Sequence, residues 1–249
     1  MTARIEKHFD IFGLSLLDSE LPEIAKLIES SLSREVSVSF ATPNVDHFVR
    51  IEKSEHVKKV YQDINYCIND SRIFSLITKF IFGATIKTVT GSDLTAYLFQ
   101  SQLIRNKRIT IIGSGKREID RLIQVYKLDL MNISHFNPAM NFIHDDFEVE
   151  RTIDFAVNSK PDLLFLAVGS PQQEVIATKI QKKIGRGVIL CVGASIDYLT
   201  GKERRAPRVL QKMYLEWLFR FVQSPVKRFK RYFVNCPQIF YYVIRARLF

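Results

Sequence analysis

Four short polar clusters each follow an apolar run in this chain: Thr42/Asn44, Asn69/Asp70, Gln172/Gln173 and Ser195/Asp197. In an open α/β sheet such clusters lie beyond the strand ends and converge on one cleft. A carboxylate, amides and several helix N-termini suit a phosphorylated ligand and a proton transfer. Asp70 is the residue to move the proton as a general base, although an aspartate there also suits a helix N-cap. Cations would stabilise a leaving diphosphate. No Asp-x-Asp pair is present, and Asp145 and Asp146 are adjacent. Cys67, Cys191 and Cys236 are far apart and odd in number, which fits buried thiols in a reducing compartment rather than a disulfide frame or metal site. The chemistry expected is therefore metal-independent and needs no cofactor. A turn Gly113-Ser114-Gly115-Lys116 follows an apolar run. It matches neither full phosphate-loop pattern, so it fits a plain Rossmann-like turn and a nucleotide contact equally.

The elements that must position these residues alternate between strand and helix. Residues 4–16 suit a strand or hairpin, and Asp18 or Ser19 a cap for a helix reaching Leu32. Strands are expected over Val36–Ala41, Ile64–Ile68, Arg108–Ile112, Met131–Phe136, the run from Leu163 to Gly169, and Gly187–Val192. Between them lie helices after Asn44, over Arg72–Phe82, from Thr90 or Ser92 to Ile104, from Lys116 to Tyr126, and over Phe147–Asn158. Ser170, Pro171 and Gln173 suit the N-cap, first-turn and capping-box positions of one more helix, ending near Lys183. This alternation predicts an α/β fold, a Rossmann-like, mostly parallel sheet with helices on both faces. Beyond it, Arg208–Val222 carries a helical apolar stripe. Ser224-Pro225 opens a second helix that Pro237 should end. The expected organisation is an α/β domain, 1–207, and a basic helical appendage, 208–249.

Charge separates the two parts. The chain of 249 residues carries a net +10. Residues 202–249 hold twelve Lys and Arg against Glu203 and Glu216, so the rest is neutral. Eleven aromatic residues share that segment. A basic, aromatic end on a neutral body suggests an anionic partner, a membrane surface or a nucleic acid. Its stripes also suit packing on the body or on a second copy of the chain. There is no N-terminal apolar leader and no run of eighteen apolar residues, which predicts a cytoplasmic protein, peripheral on the inner face of the cell membrane.

The ordered segments VGSPQQE, GASIDYLTGKERRAP, LEWLFR and SPVKRFKRY resemble the WecG/TagA/CpsF family of bacterial glycosyltransferases. That family carries a PxQE turn, a VGxxxDxxxGxxxRAP segment, an EWxxR helix and a basic tail. The resemblance covers nearly the whole chain. It implies transfer of a sugar from a UDP-sugar to a polyprenyl-diphosphate-linked saccharide with inversion, in bacterial surface or exopolysaccharide synthesis. The sugar would be N-acetylmannosamine, its uronic acid or glucose. By this resemblance the TPNVDH turn puts Thr42 and Asn44 in the site, and Asp70 is the base. Asn69-Asp70-Ser71 stands where the family usually has Ala-Asp-Gly. Thr88 stands where the family has a phosphate-contacting arginine, so the adjacent Lys87 would supply that charge. Gln173, with Gln172 and the helix start, would hold the nucleotide, with Asp197 also in the site. Arg204, Arg205, Arg220, Arg228 and Arg231 would bind the lipid diphosphate, the UDP leaving group, or both. Two other classes fit parts of the sequence. A nucleotide-dependent oxidoreductase would need a dinucleotide fingerprint, which is incomplete here. A nucleic-acid binder would use the basic tail with steep salt dependence; the resemblance argues against a nucleic-acid partner.

Overall fold

A computed structural model describes residues 7–248. Its strands are β1 (His8–Ile11), β2 (Leu14–Leu17), β3 (Ser37–Ala41), β4 (Tyr66–Ile68), β5 (Ile109–Gly113), β6 (Ile133–Phe136), β7 (Leu163–Ala167) and β8 (Gly187–Cys191). They form one sheet in the order β1-β2-β4-β3-β8-β7-β5-β6. Only β1 runs antiparallel, as a hairpin with β2. The hairpin turn places Phe12 and Gly13 at positive φ. Phe12 is buried there, with its ring 5.9 Å from Phe48 and 6.3 Å from Phe74. Residues 4–6 of the expected hairpin segment lie outside the described residues. The central strands β3, β8, β7 and β5 are almost wholly apolar and buried on both faces, as a covered parallel sheet requires.

The body helices are α1 (Leu21–Leu32), α2 (Val45–Lys53), α3 (Glu55–Gln62), α4 (Arg72–Phe82), α5 (Gly91–Gln100), α6 (Lys116–Tyr126), α7 (Asp146–Asn158), α8 (Gln172–Ile184) and α9 (Ser195–Leu199). One face of the sheet is covered through Phe48 of α2, Phe74 of α4, Ile153 of α7 and Ile176 of α8. The other is covered through Ile28 of α1, Leu98 of α5, Leu122 of α6 and Ile196 of α9. The chain thus leaves β3 toward one face and the adjacent β8 toward the other. That divergence opens a crevice at their C-terminal ends.

Several local expectations are corrected. Glu20 caps α1 in a reciprocal box with Glu23, because the Asp18 carboxylate is taken by the Lys87 N–H at 2.7 Å. The β4 strand starts at Tyr66, since Asn65 accepts from the Ser39 backbone N–H. The β6 strand starts at Ile133, after a 3₁₀ turn that Asp129 caps through Met131 N–H. Helix α5 ends at Gln100, and Ser101 starts a separate 3₁₀ turn. Ser170 does not cap α8. Its hydroxyl faces Tyr61 at 3.3 Å, and the backbone carbonyl of Gly169 receives the Gln173 N–H.

The C-terminal segment differs most. The stripe over 208–222 is two helices, α10 (Arg208–Lys212) and α11 (Glu216–Gln223), not one. Tyr214 breaks it at φ 63°, and the Leu215 N–H closes onto the Leu210 carbonyl at 2.8 Å. After α12 (Pro225–Phe229) the backbone stays helical through Pro237 into α13 (Ile239–Leu248). A π-helical stretch, Lys230–Asn235, and a 3₁₀ turn, Cys236–Gln238, absorb the missing proline N–H by changing the winding. Ile239 and Val243 of α13 are buried in the core cluster that holds α2 and α4. Among the described residues no helix is long and apolar enough to cross a membrane.

Gly113 ends β5 at φ +97°, and a Cβ there would lie 2.6 Å from the Ala167 carbonyl oxygen. Gly113→Ala is therefore expected to cost roughly 1–3 kcal/mol of stability through backbone strain. A thermal melt checks it, and an unchanged midpoint would show that the β5–β7 contact is not tight.

Candidate active site

Asp70 follows β4, and its N–H donates to the Pro43 carbonyl at 2.9 Å, which ties the loop after β4 to the loop after β3. It does not cap the next helix. Ser71 does, accepting the Phe74 N–H at 3.1 Å, so the Asp70 carboxylate is left for other work. Asn69 is fully buried and spent on the loop. Its amide donates to Ser75 Oγ at 2.8 Å and the Lys87 carbonyl at 3.1 Å, and its Oδ1 accepts the Ser71 N–H.

Asp70 lines a cavity of about 350 Å³. Body residues Asn44, Asp46, Arg72, Ile73 and Thr90 form one wall, and Tyr214, Glu216, Trp217, Arg220, Arg231, Tyr232 and Phe240 form the other. The C-terminal segment therefore closes the crevice. Asn44 caps α2 through the Asp46 N–H at 3.1 Å, and the same Oδ1 accepts from Arg231 at 3.2 Å. Asp46 is 1% exposed; its Oδ2 binds Arg50 and lies 3.5 Å from Arg231 Nε, while Oδ1 is buried without a partner. Across the cavity, Glu216 reaches Arg220 at 2.7 Å and Arg72 at 3.5 Å. The Arg220 guanidinium also sits 4.9 Å over the Tyr198 ring.

The cavity sets the acidity of Asp70. By surface area its side chain is half-buried, and it faces a half-open cavity with protein on both sides, so its charge is less well solvated than in water. That desolvation is the largest cause pushing its carboxyl from 3.8 up to about 7. Arg220, the Gly91 N–H and Arg205 pull it down, and Glu216 pushes it further up. The result is a carboxylate poised near neutrality, where a general base is most effective.

The expected site residues divide into groups. Asn44, Asp70, Arg220 and Arg231 meet at the cavity. Arg205 stands beside it, paired to Asp93 at 2.7 Å and donating to Thr90 at 3.1 Å; Thr90 in turn caps α5. Arg228 braces the wall from behind through Glu203 and the Arg220 carbonyl. Thr42 is buried at the end of β3, and a Cβ at Gly91 would come within 2.8 Å of its Oγ1 and 3.4 Å of Ser195 Oγ. Gly91 thus allows three loops to meet.

Other expected residues lie elsewhere. Gln173 is buried, with Oε1 accepting the Gly193 N–H at 2.8 Å and Nε2 donating to Glu174 at 2.8 Å. Glu174 is fully buried, and burial pushes its carboxyl up. Gln172 opens α8 at intermediate exposure. Asp197 accepts from Ser114 at 3.4 Å and from Lys202 at 3.3 Å, beside the glycine turn after β5. That turn leaves the start of α6 without a side-chain cap, and Lys116 pairs outward with Asp120. Arg204 is exposed. Lys87 pairs with Glu20 at 2.6 Å on the surface and does not line the cavity.

Sequence reasoning missed Asp46, Arg72, Glu216 and Trp217. The Glu216–Arg220 spacing of four was a usable signal, since such pairs meet on a helix. Asp46 offered the same spacing with Arg50 and lies in the TPNVDH turn, but its contact with Arg231 is distant in the chain, as is that of Arg72 with Glu216. Among the described residues no group of three or more His, Cys, Asp or Glu side chains is arranged to hold a metal ion.

The model of the family described as "Glycosyl transferase WecG/TagA/CpsF family" matches residues 9–249. An N-acetylglucosaminyldiphosphoundecaprenol N-acetyl-beta-D-mannosaminyltransferase of Bacillus spizizenii is 25% identical over 215 residues, 86% of this chain and 82% of that protein. The Bacillus subtilis protein of the same name is 22% identical, covering 86% and 83%. That of Staphylococcus aureus is 28% identical over 159 residues, 64% of this chain and 61% of its own.

The Asp70 shift has a stability consequence. Its folded pKa lies above the ordinary value, so its contribution is fully present below about pH 4 and is lost as pH rises through about 7. Asp70→Asn carries no such loss. Its melting temperature is expected to exceed that of the wild type most at pH 8 and least at pH 4. A difference independent of pH would place the Asp70 carboxyl in water.

Proposed function

The chain belongs to the WecG/TagA/CpsF family of glycosyltransferases, and from that premise we propose that it moves N-acetylmannosamine from a UDP-sugar to an N-acetylglucosaminyl-diphospho-polyprenol. The relatives' names support this acceptor and sugar over the uronic acid and glucose. The observation that carries the reading is Asp70, half-buried, near neutral in acidity and enclosed with two arginines.

In the reaction, Asp70 takes the proton from an acceptor hydroxyl. The hydroxyl oxygen forms its bond to the anomeric carbon from the face opposite the nucleotide. The bond from that carbon to the UDP oxygen breaks, and the electron pair leaves with UDP. Inversion follows from this single in-line displacement. Arg220 and Arg231 neutralise diphosphate charge in a space where water screens little. Asn44 holds Arg231, and Arg205 and Arg228 hold the loops around the cavity. The nucleotide fits the strand-end edge outside the cavity, at the starts of α6 and α8 and beside Asp197, where backbone N–H groups face outward. Gln173 serves this edge by holding the Gly193 turn.

The outer side of the C-terminal segment suits a membrane holding the acceptor. Val209, Met213, Val222, Val226 and Phe229 are exposed there, 56–90% each, beside Lys212, Lys227 and Lys230. Each basic residue near anionic lipid is worth about 1 kcal/mol. On this reading residues 1–207 form the catalytic body, 208–249 the membrane-facing wall, and the enzyme works at the cytoplasmic face.

The test is UDP release by the purified protein with EDTA present, with a panel of UDP-sugars and a short-chain lipid-diphosphate-GlcNAc acceptor. Acceptor-dependent release with UDP-N-acetylmannosamine is expected, and Asp70→Asn should lower kcat roughly 100-fold or more. Full activity in that variant would remove Asp70 as base. Arg220→Gln combined with Arg231→Gln should abolish transfer; retained transfer would show that Arg220 and Arg231 take no part.

A further inference from the structure

Two carboxylates in the cavity share an unusual arrangement. Asp46, on the body, divides its contacts between Arg50 of the body and Arg231 of the C-terminal wall. Glu216, on that wall, divides its own between Arg72 of the body and Arg220 of the wall. Each therefore joins one arginine from each side, and each lines the cavity that Asp70 faces. Both wall arginines line the cavity, as does Arg72 of the body.

We propose that Asp46 and Glu216 are positioning residues for sugar transfer, which hold Arg231 and Arg220 at the diphosphate-binding end of the closed cavity. The assignment rests on the reaction proposed above. An arginine side chain loses rotamer freedom when it is fixed. A carboxylate that already holds it lets the diphosphate meet an ordered guanidinium instead of ordering one. Burial makes the pairing matter more for Asp46: an arginine removed from it leaves a buried charge poorly matched. Its second oxygen is buried without a partner, so the charge of Asp46 is balanced through the other oxygen, the one that Arg50 and Arg231 share.

Glu216 has a second effect through charge. The groups acting on Asp70 are Arg220, Arg205, the Gly91 N–H and Glu216, with Arg72, Asp46 and Arg231 on the same cavity walls. Glu216 is the acid among the groups that shift Asp70, and it raises the Asp70 pKa. Removing its charge lowers the pH at which Asp70 ionises.

The test uses the isosteric variants Asp46→Asn and Glu216→Gln in the full chain, alone and combined with Arg231→Gln and Arg220→Gln respectively. Each single carboxylate variant is expected to lower kcat on the order of tenfold. Each double variant should be no slower than its arginine variant within about twofold, because coupled groups are not additive. Glu216→Gln should also move the acid limb of the pH–rate profile to lower pH. Trp217, the chain's one tryptophan, lies beside Glu216 on the cavity wall and reports docking by its emission. Its emission should be unchanged in both isosteric variants, and quenching by farnesyl diphosphate should need about tenfold more ligand. Losses that multiply in the doubles, or a red-shifted Trp217 emission with an unmoved acid limb, would overturn the proposal in favour of a purely structural clasp. If the wild type transfers no sugar yet binds farnesyl diphosphate, and the variants bind it less well, the reaction assigned above fails while the placing of the arginines stands.

Discussion

A carboxylate held partly out of water among fixed charges is the constraint on this molecule. Enclosure alone would leave Asp70 a neutral acid. The arginines and the Gly91 N–H bring it back toward ionisation, and Glu216 limits how far. Balance of this kind depends on closure. With the C-terminal wall absent, Asp70 would face water, Arg220 and Glu216 would be gone, and the carboxyl would have no reason to depart far from its ordinary acidity. The wall thus sets the acidity of Asp70 as well as covering it.

The sheet supplies the place where that balance can be built. Strands β3 and β8 are neighbours in register, with Ala41 opposite Cys191, but their following helices go to opposite faces. The loops at that edge are covered by the C-terminal segment instead of by the body helices. They can approach one another only because Gly91 lacks a side chain against Thr42 and Ser195. Buried hydrogen bonds then fix the loops: Asn69 inside its own, and Gln173 across to Gly193. These amides carry the shape of the edge, and the ionisable groups stand on it.

What the sequence revealed follows how local each signal is. Helix α4 was read to the residue from its apolar stripe, and Asn44 as a cap from the residue type alone. The parallel sheet followed from strand–helix alternation. The contacts of Ser170, Gln173 and Lys87 were not legible for one reason: a group distant in the chain holds each side chain. Tyr61 takes Ser170, Gly193 takes Gln173 and Glu20 takes Lys87. Asp46 lies in the quoted TPNVDH turn, but its link to the C-terminal wall was not legible because Arg231 is 185 positions away. The stripe over 208–222 was real, but periodicity does not register one left-handed residue, and Tyr214 redirects everything after it.

The division of basic residues in the wall shows why net charge was a poor guide to their work. Between 212 and 231 the lysines, Lys212, Lys227 and Lys230, are exposed, while Arg220, Arg228 and Arg231 are partly buried against body or cavity. This follows from their chemistry. A guanidinium is weakly hydrated and forks between two acceptors, as Arg228 does between Glu203 and the Arg220 carbonyl. An ammonium is a strongly hydrated point charge that loses more on leaving water. The same segment can therefore present one kind of cation to an enclosed diphosphate and the other to a wet, diffuse surface. A helix delivers the two to opposite sides: Lys227 and Arg228 are neighbours in the chain, yet one is exposed and the other braces the cavity wall. Summed charge sees one basic tail, whereas residue type and helical phase separate a catalytic side from an outer side.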